Sequence, residues 1–273
     1  MLRQESTESK LVAGGQSLVP MMAMRLTRPA RLIDINEIAA LKSVVLEDLQ
    51  LRTGACVRQC VIEHDDTVAT KIPLLRRALA WVGHVQTRNR GTVGGSVAHA
   101  DPAAELPLVA QVLSATMVLQ AHSGVRSVAA AEFFLGPLTT ALEAHECLAE
   151  IRWPVWNDRR LGCSFLEVSR RHGDFALVAA AAQIAVDDDG KCLRVSFGLT
   201  GGGSTPLAFE SLAANLAGLR FDDDNVRSVA REAARLLDPG SDLHASAAYR
   251  THLAEVLAAR ALRAAYDDAR SKT

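Results

Sequence analysis

The chain has 273 residues, 49% of them hydrophobic, and a formal net charge of −1. That is enough apolar material for a sizeable core in two domains, while the balanced charge gives no electrostatic case for nucleic acid or an anionic membrane as partner. The start, MLRQESTESK, is too polar for a signal peptide, and the apolar stretches 106–121 and 175–186 are broken by Gln111, Gln120 and Gln183 and fall short of the roughly 20 residues of a membrane span, so a cytoplasmic protein is expected.

In chain order, residues 11–13 read as a short strand feeding the glycine turn Gly14-Gly15-Gln16-Ser17-Leu18. Glycine has no Cβ, so the backbone can take positive φ and bring successive N–H groups to an anion, with neighbouring hydroxyls as further donors. Residues 31–35, 44–46 and 49–52 read as further strands. Pro73 suits the first turn of a helix over 73–82 whose apolar face holds Leu74, Leu75, Ala78, Leu79 and Val82, with Gly83 placed to end it.

A second glycine turn, Thr92-Val93-Gly94-Gly95-Ser96, repeats the grammar of the first behind its own strand-like run. Neither segment fits G-x-G-x-x-G or G-x-x-x-x-G-K-[ST], so a pyrophosphate would be held in another way. Paired glycines also occur in ordinary turns. The whole stretch 88–107, however, carries more donors and small residues than packing alone asks for. Asp101-Pro102 then reads as a helix start with Asp101 as cap, Pro102 at the first position and Glu105 one turn in. Asp101 can cap and still accept a hydroxyl bond, a first-turn Glu is ordinary helix chemistry, and His99 reads as a polar loop neighbour rather than an acid or base.

A boundary is expected near Trp153-Pro154, dividing the chain into domains at 1–157 and 160–270. Beyond it, residues 175–186 and 191–199 flank the turn Asp187-Asp188-Asp189-Gly190 as a hairpin. Thr205-Pro206 is expected to start a helix closed by Gly218. Val226, Val229, Ala230 and Ala233 mark an amphipathic helix, and Leu253, Val256 and Leu257 anchor a last one. Gly201-Gly202-Gly203 reads as a chain turn rather than a phosphate loop. Arg170-Arg171-His172-Gly173-Asp174-Phe175 sets a charge cluster and one ring at the opening of the hairpin, either as a solvated basic pair with a core Phe or as part of a site.

The five cysteines, Cys56, Cys60, Cys147, Cys163 and Cys192, are odd in number and scattered, which reads as reduced, buried thiols rather than a disulfide framework. No Cys or His spacing matches a metal site, and none is assigned.

The segments AGGQSLVPMMAMRL, LRTGACV, TRNRGTVGGSVAHADPAAELP and SRRHGDFALVAAA, with the tail SDLHASAAYRTHLAEVLAARAL, resemble the FAD-binding middle subunit of molybdenum hydroxylases, the family of aerobic carbon monoxide dehydrogenase and bacterial xanthine dehydrogenases. The resemblance covers nearly the whole chain. It implies an α+β fold: a two-subdomain FAD-binding domain of the PCMH type, then a small C-terminal domain with an antiparallel sheet and a helical bundle. Carried over residue by residue, it implies that Leu11, Val12, Ala13, Gly14, Gly15, Gln16, Ser17 and Leu18, together with Thr92, Val93, Gly94, Gly95 and Ser96, hold the FAD pyrophosphate. Glu105 would contact the cofactor with His99 and Asp101 nearby, and Asp174 and Phe175 would touch the flavin ring. Gln16 cannot form the covalent flavin bond that a His or Cys near such a motif makes, so the FAD is expected to be noncovalent.

Molybdenum and 2Fe–2S centres are implied only in a large and a small partner subunit of a heterotrimer, with electrons passing from the 2Fe–2S clusters through FAD to an external acceptor. The resemblance also implies a strand and a helix ahead of the first glycine turn, where this chain has a short polar leader. Two alternatives are a stand-alone flavin oxidase or dehydrogenase and an assembly subunit that has lost FAD.

Overall fold

A computed structural model describes residues 9–272; the polar leader at 1–8 lies outside the described residues. The described chain opens with a small β-α-β unit. β1 (Ser9–Val12) leads through the first glycine turn into α1 (Leu18–Ala23) and returns as β2 (Arg31–Asp34), parallel to β1 with Val12 opposite Asp34. Two strands cannot build an independent core. This layer rests on a small cluster of Ile35, Leu41 and Cys56, against which Leu11, Ala13, Ile33 and Cys147 pack.

β3 (Val44–Glu47) and β4 (Gln50–Gly54) form a hairpin whose turn residues, Asp48 and Leu49, both have positive φ, so Leu49 belongs to the turn and not to the expected strand. Six short helices follow: α2 (Gln59–His64), α3 (Asp66–Lys71), α4 (Pro73–Leu79), α5 (Val85–Arg90), α6 (Val93–His99) and α7 (Glu105–Val112). Ser114, at φ +52°, then turns the apolar run into β5 (Thr116–Ala121). β6 (Gly124–Ala129), α8 (Ala130–Phe133), β7 (Phe134–Gly136), β8 (Thr139–Thr140) and β9 (Cys147–Pro154) complete this region. β9 inserts between β4 and β5, giving an antiparallel sheet in the order β3-β4-β9-β5-β6. Trp153, fully buried on β9, donates its Nε1–H to the Thr53 hydroxyl at 2.9 Å and so locks β9 to β4.

The C-terminal sheet runs β10 (Leu161–Val168), β11 (Val178–Val186), β12 (Cys192–Thr200) and β13 (Leu207–Ala208), antiparallel throughout. The expected turn at 187–190 closes the β11–β12 hairpin, with Gly190 at φ +78°. Every residue of β11 is buried. Ala179 and Ala181 join Cys163 and Phe165 in the N-terminal core, whereas Val178, Ala180, Ala182 and Ile184 meet α10 (Asp223–Leu236) and α11 (Ala247–Arg270) on the other face. The architecture is the expected mixture of α and β, with one sheet shared between two cores.

Three local expectations change. The segment before Thr92 is helix α5, not a strand, and Thr92 to Ser96 open helix α6, with Thr92 as the cap that accepts from the Gly95 N–H at 3.0 Å. Asp101 does not cap a helix. Its carboxylate accepts from the Ala103 N–H at 2.8 Å, while the Pro102 carbonyl is held by Gly201 N–H at 2.9 Å and the Thr200 hydroxyl at 2.5 Å, so the chain cannot coil until Glu105, the first residue of α7. Pro206 starts no helix because Leu207–Ala208 pairs with β12, where a Cβ on Gly198 would lie 2.5 Å from the Leu207 carbonyl; α9 is only Glu210–Ala214.

The buried alanines Ala254, Ala258, Ala261, Ala265 and Ala269 let α11 lie close on the sheet, and a Cβ on Gly162 would meet the Ala265 carbonyl at 2.1 Å. Gly162→Ala is therefore expected to destabilise the protein by about 1–3 kcal/mol, the usual cost of overpacking. Chemical denaturation would show it as a lower midpoint, and an unchanged midpoint would refute this close approach.

Candidate functional site

A cavity of about 580 Å³ lies between the β1–α1–β2 unit, the starts of α6 and α7, the entry to β9 and the loop ahead of β11. That volume lies in the range of cofactor sites. Of the residues expected at the site from sequence, all but Val93 line it. Val93 is fully buried in the core instead, as the inward face of α6 requires.

The two glycine turns differ in what they offer. Gly15 stands at φ +71°, and the successive N–H groups of Gly14, Gly15, Gln16 and Ser17 find no acceptor among the described residues. Such a run of free donors at an αL bend is an anion-binding concavity. In the second segment the donors are spent: Val93 N–H goes to Val57 O, Gly94 N–H to Ala55 O, Gly95 N–H to the Thr92 hydroxyl and Ser96 N–H to Thr92 O. Docking against residues 55–57 and the capping of α6 consumed the N–H groups expected to face the ligand, so this turn contributes the Ser96 hydroxyl and the backbone of its glycines. Gly94 has a packing reason of its own, since a Cβ there would lie 2.4 Å from that of Ala55.

The turns are clamped together. A Cβ on Gly14 would stand 2.4 Å from the Arg90 carbonyl, so the two backbones touch. Arg58 bridges them, donating to the Arg90 carbonyl and, at 2.8 Å, to Asn36 Oδ1, while Asn36 donates to the Ala13 carbonyl at 2.7 Å. Nothing in the local pattern of Asn36 or Arg58 marks this bracket; it exists only once β2 and α2 are adjacent.

Four acids, Asp101, Glu105, Glu146 and Asp174, stand in an otherwise largely apolar lining. Glu105 is 6% exposed, and burial, helped by the neighbouring charge of Asp101 and opposed by its own backbone N–H, pushes its carboxyl up to about 7. His99 is held below its ordinary value by burial, so its ring is neutral at pH 7. Glu146 lines the cavity as a carboxylate, held low chiefly by the Arg126 guanidinium at 2.6 and 2.7 Å. Cys147 beside it is a thiol pushed up to about 11 by burial. Glu146 and Cys147 sit at the start of β9 and were not anticipated, because only the insertion of β9 brings them here.

At the mouth, Gly173 (φ +90°) passes over His84, leaving no room for a Cβ, and His172 meets Trp81 edge-on. This seats Asp174 and Phe175 on the cavity, with Phe175 still 61% exposed. From behind, buried Arg250 grips the carbonyls of Leu177 and Gly201 at 2.8 and 2.7 Å, which gives Gly201 the expected structural task. Among the described residues no group of His, Cys, Asp and Glu could hold a metal ion, and no helix is long and apolar enough to cross a membrane.

A cavity with a turn of free N–H donors at one end and acids along its wall, between a β-α-β unit and an antiparallel sheet, has the form of a nucleotide-cofactor site. Residues 1–156 match the family described as the FAD binding domain in molybdopterin dehydrogenase, and residues 164–265 match the CO dehydrogenase flavoprotein C-terminal domain. The carbon monoxide dehydrogenase medium chain of Hydrogenophaga pseudoflava is 34% identical over 97% of this chain and 92% of its own, and 6-hydroxypseudooxynicotine dehydrogenase complex subunit alpha of Paenarthrobacter nicotinovorans is 35% identical over 99% and 91%. Among solved structures, quinoline 2-oxidoreductase from Pseudomonas putida 86 superposes with a TM-score of 0.92 at 36% identity, covering 98% of this chain and 92% of that one. The chain belongs to the FAD-binding medium subunits of the molybdenum hydroxylases.

One acid lies behind the cavity. Glu167 on β10 is 8% exposed, neither carboxyl oxygen has a partner among the described residues, and burial followed by the charge of Glu105 pushes it up to about 8. Because these carboxyls lie above their unfolded value of 4.5, their stabilising contribution is full below that pH and is lost as pH rises through about 7 to 8. Glu167→Gln is thus expected to raise Tm at pH 8.5 by about 4–8 °C relative to the parent, the shift of roughly 2 kcal/mol in a chain of this size. The difference should shrink at pH 5; equal differences at both pH values in calorimetry would show that Glu167 does not titrate.

Proposed function

We propose that this chain binds FAD noncovalently in the cavity and passes electrons from the 2Fe–2S clusters of a small partner subunit to an external acceptor, with substrate oxidised at molybdenum in a large partner subunit. The observation that carries the reading is the row of free N–H groups from Gly14 to Ser17, opening into the same cavity as Glu105, Asp174 and Phe175. The fit is specific to a dinucleotide. The donors of the first turn suit a pyrophosphate, the Ser96 hydroxyl adds a donor, and Asp101 and Glu105 can accept from sugar or ribityl hydroxyls.

FAD supplies chemistry that no side chain has, accepting electrons singly and releasing them as a pair. The chain's own groups bind and orient it. Gly14 to Ser17 fix the phosphates, Glu105 and Asp101 fix hydroxyls along the wall, and the loop bearing Asp174 and Phe175 shields the mouth from water. Neutral His99 accepts or donates one hydrogen bond without adding charge. Tyr249 and Tyr266 belong to α11, and Tyr266 donates to the Gly190 carbonyl, so no tyrosine serves the cavity as a base among the described residues.

The visible spectrum of the purified chain, with release of cofactor on heating and titration with added FAD, tests the reading. About one FAD per chain is expected, and copurification with an iron–sulfur subunit supports the assembly. Gly15→Val, which forces a branched side chain into the αL bend, and Gly95→Val, which crowds the Thr92 hydroxyl at 2.7 Å, are each expected to weaken FAD retention at least tenfold while circular dichroism keeps the C-terminal fold. Stoichiometric FAD in both variants would sink the cradle assignment.

A further inference from the structure

The cavity wall is backed by a second acid that FAD binding as described leaves without a task. Glu105, the first residue of α7, lines the cavity; Glu167 on β10 lies outside the lining but within reach of the charge of Glu105, and shares its face of the sheet with Phe165 and Ala179 in the core to which Leu106 and Val109 of α7 contribute. Neither acid belongs to an ion pair among the described residues, and both oxygens of Glu167 are sealed from solvent without a hydrogen-bond partner.

The nearest buried or bridging cations are directed elsewhere, although Arg250 Nε is buried without a partner. On α4, Arg77 is bound to the Cys163 carbonyl and to Asp268 of α11, and Arg76 is exposed; on α11, Arg250 is bound to Asp242 and to two carbonyls; Arg170 meets His244. The other titratable groups on this side are Asp101 and His99 between α6 and α7, His84 ahead of α5, and Arg171, His172 and Asp174 in the loop ahead of β11. β11 contributes only the uncharged Gln183.

Two carboxyls in one apolar wall, with no cation to neutralise them, cannot both ionise freely. The charge of the outer one, facing the cavity, opposes ionisation of the inner one. A pyrophosphate brought into the same cavity adds negative charge on the same side and raises the proton affinity of both.

We propose that Glu105 and Glu167 form a proton-linked acid pair in the cavity wall, so that a dinucleotide carrying a pyrophosphate binds together with a proton taken from solvent onto this pair. Glu167 touches no ligand and acts through Glu105 as a positioning residue. The proposal rests on the reading of the cavity as an FAD site. Linkage fixes the sign: a pair whose proton affinity rises on binding favours the complex at low pH, and the advantage is lost as pH rises past the free pair's titration, about 7 to 8.

The test uses the full chain stripped of flavin. FAD is titrated by fluorescence quenching from pH 6 to 9, and proton uptake is counted at pH 7.5 by calorimetry in two buffers of different ionisation enthalpy. The parent protein should take up a fraction of a proton per FAD, and Kd should rise by about tenfold between pH 6.5 and 8.5, the limit set by one linked proton being tenfold per pH unit. Glu167→Gln should keep the parental Kd at pH 6 and lose about half of the uptake. Glu105→Gln is the second variant should the first fail to fold, and it too should reduce uptake. FAD binding with no proton uptake and a flat Kd overturns the acid pair while leaving the FAD site intact. Full uptake in both variants places the proton outside the pair and overturns it as well. Absence of FAD binding at every pH overturns the FAD site itself, and the proposal with it.

Discussion

The cavity depends on backbone meeting backbone at Gly14. Among the described residues the β1–α1–β2 unit has two short strands resting on a small cluster of three buried apolar residues, so hydrophobic contact alone holds it weakly. It docks because the Gly14 Cα can lie against the Arg90 carbonyl without a side chain between them. Arg58 and Asn36 then complete a polar bracket from Ala13 to Arg90. Hydrogen bonds from a guanidinium are worth about 1.5–3 kcal/mol each. Here they also set the distance between the free N–H groups of the first turn and the wall that carries Glu105.

Charge around the cavity runs against the charge of the ligand it suits. Asp101, Glu105, Glu146 and Asp174 line it, and Lys10 is the only lysine or arginine among the described lining residues. Only Glu146 is neutralised, by a guanidinium outside the cavity. Attraction for an anion must therefore come from oriented N–H dipoles, which carry no counter-charge to desolvate. Burial, with a neighbouring acid and no cation to offset it, pushes the carboxyls of Glu105 and Glu167 up to about 7 and 8.

The C-terminal sheet gives this wall its back. β11 is buried on both faces, with Ala179 and Ala181 packed toward the N-terminal core and Val178, Ala180, Ala182 and Ile184 toward α10 and α11. Arg250, reaching from α11 to Leu177 and Gly201, anchors the far end of the loop that carries Asp174 and Phe175. A change in the packing of α11 would thus reach the cavity mouth through a hydrogen-bonded side chain.

Much of this was legible along the chain. The first glycine turn with the strand ahead of it, the hairpin at 187–190 and the apolar faces of α10 and α11 follow from local rules: positive φ at glycine, Asp-Gly at a turn, helical spacing of Val226, Val229, Ala230 and Ala233. The site residues came from motif resemblance, and the fold gathers all of them but Val93 around one cavity. What local rules could not supply was decided by partners distant in sequence. Pro102 loses its helix to a bond from Thr200, Pro206 yields to pairing with β12, Glu146 and Cys147 arrive with the insertion of β9, and the C-terminal sheet brings Glu167 within reach of the charge of Glu105. The sequence by itself determined which segments could turn, coil and carry donors, because those are properties of a few adjacent residues. Only the tertiary structure decided which donors stay free and which acids keep their protons, because both depend on what is buried beside them.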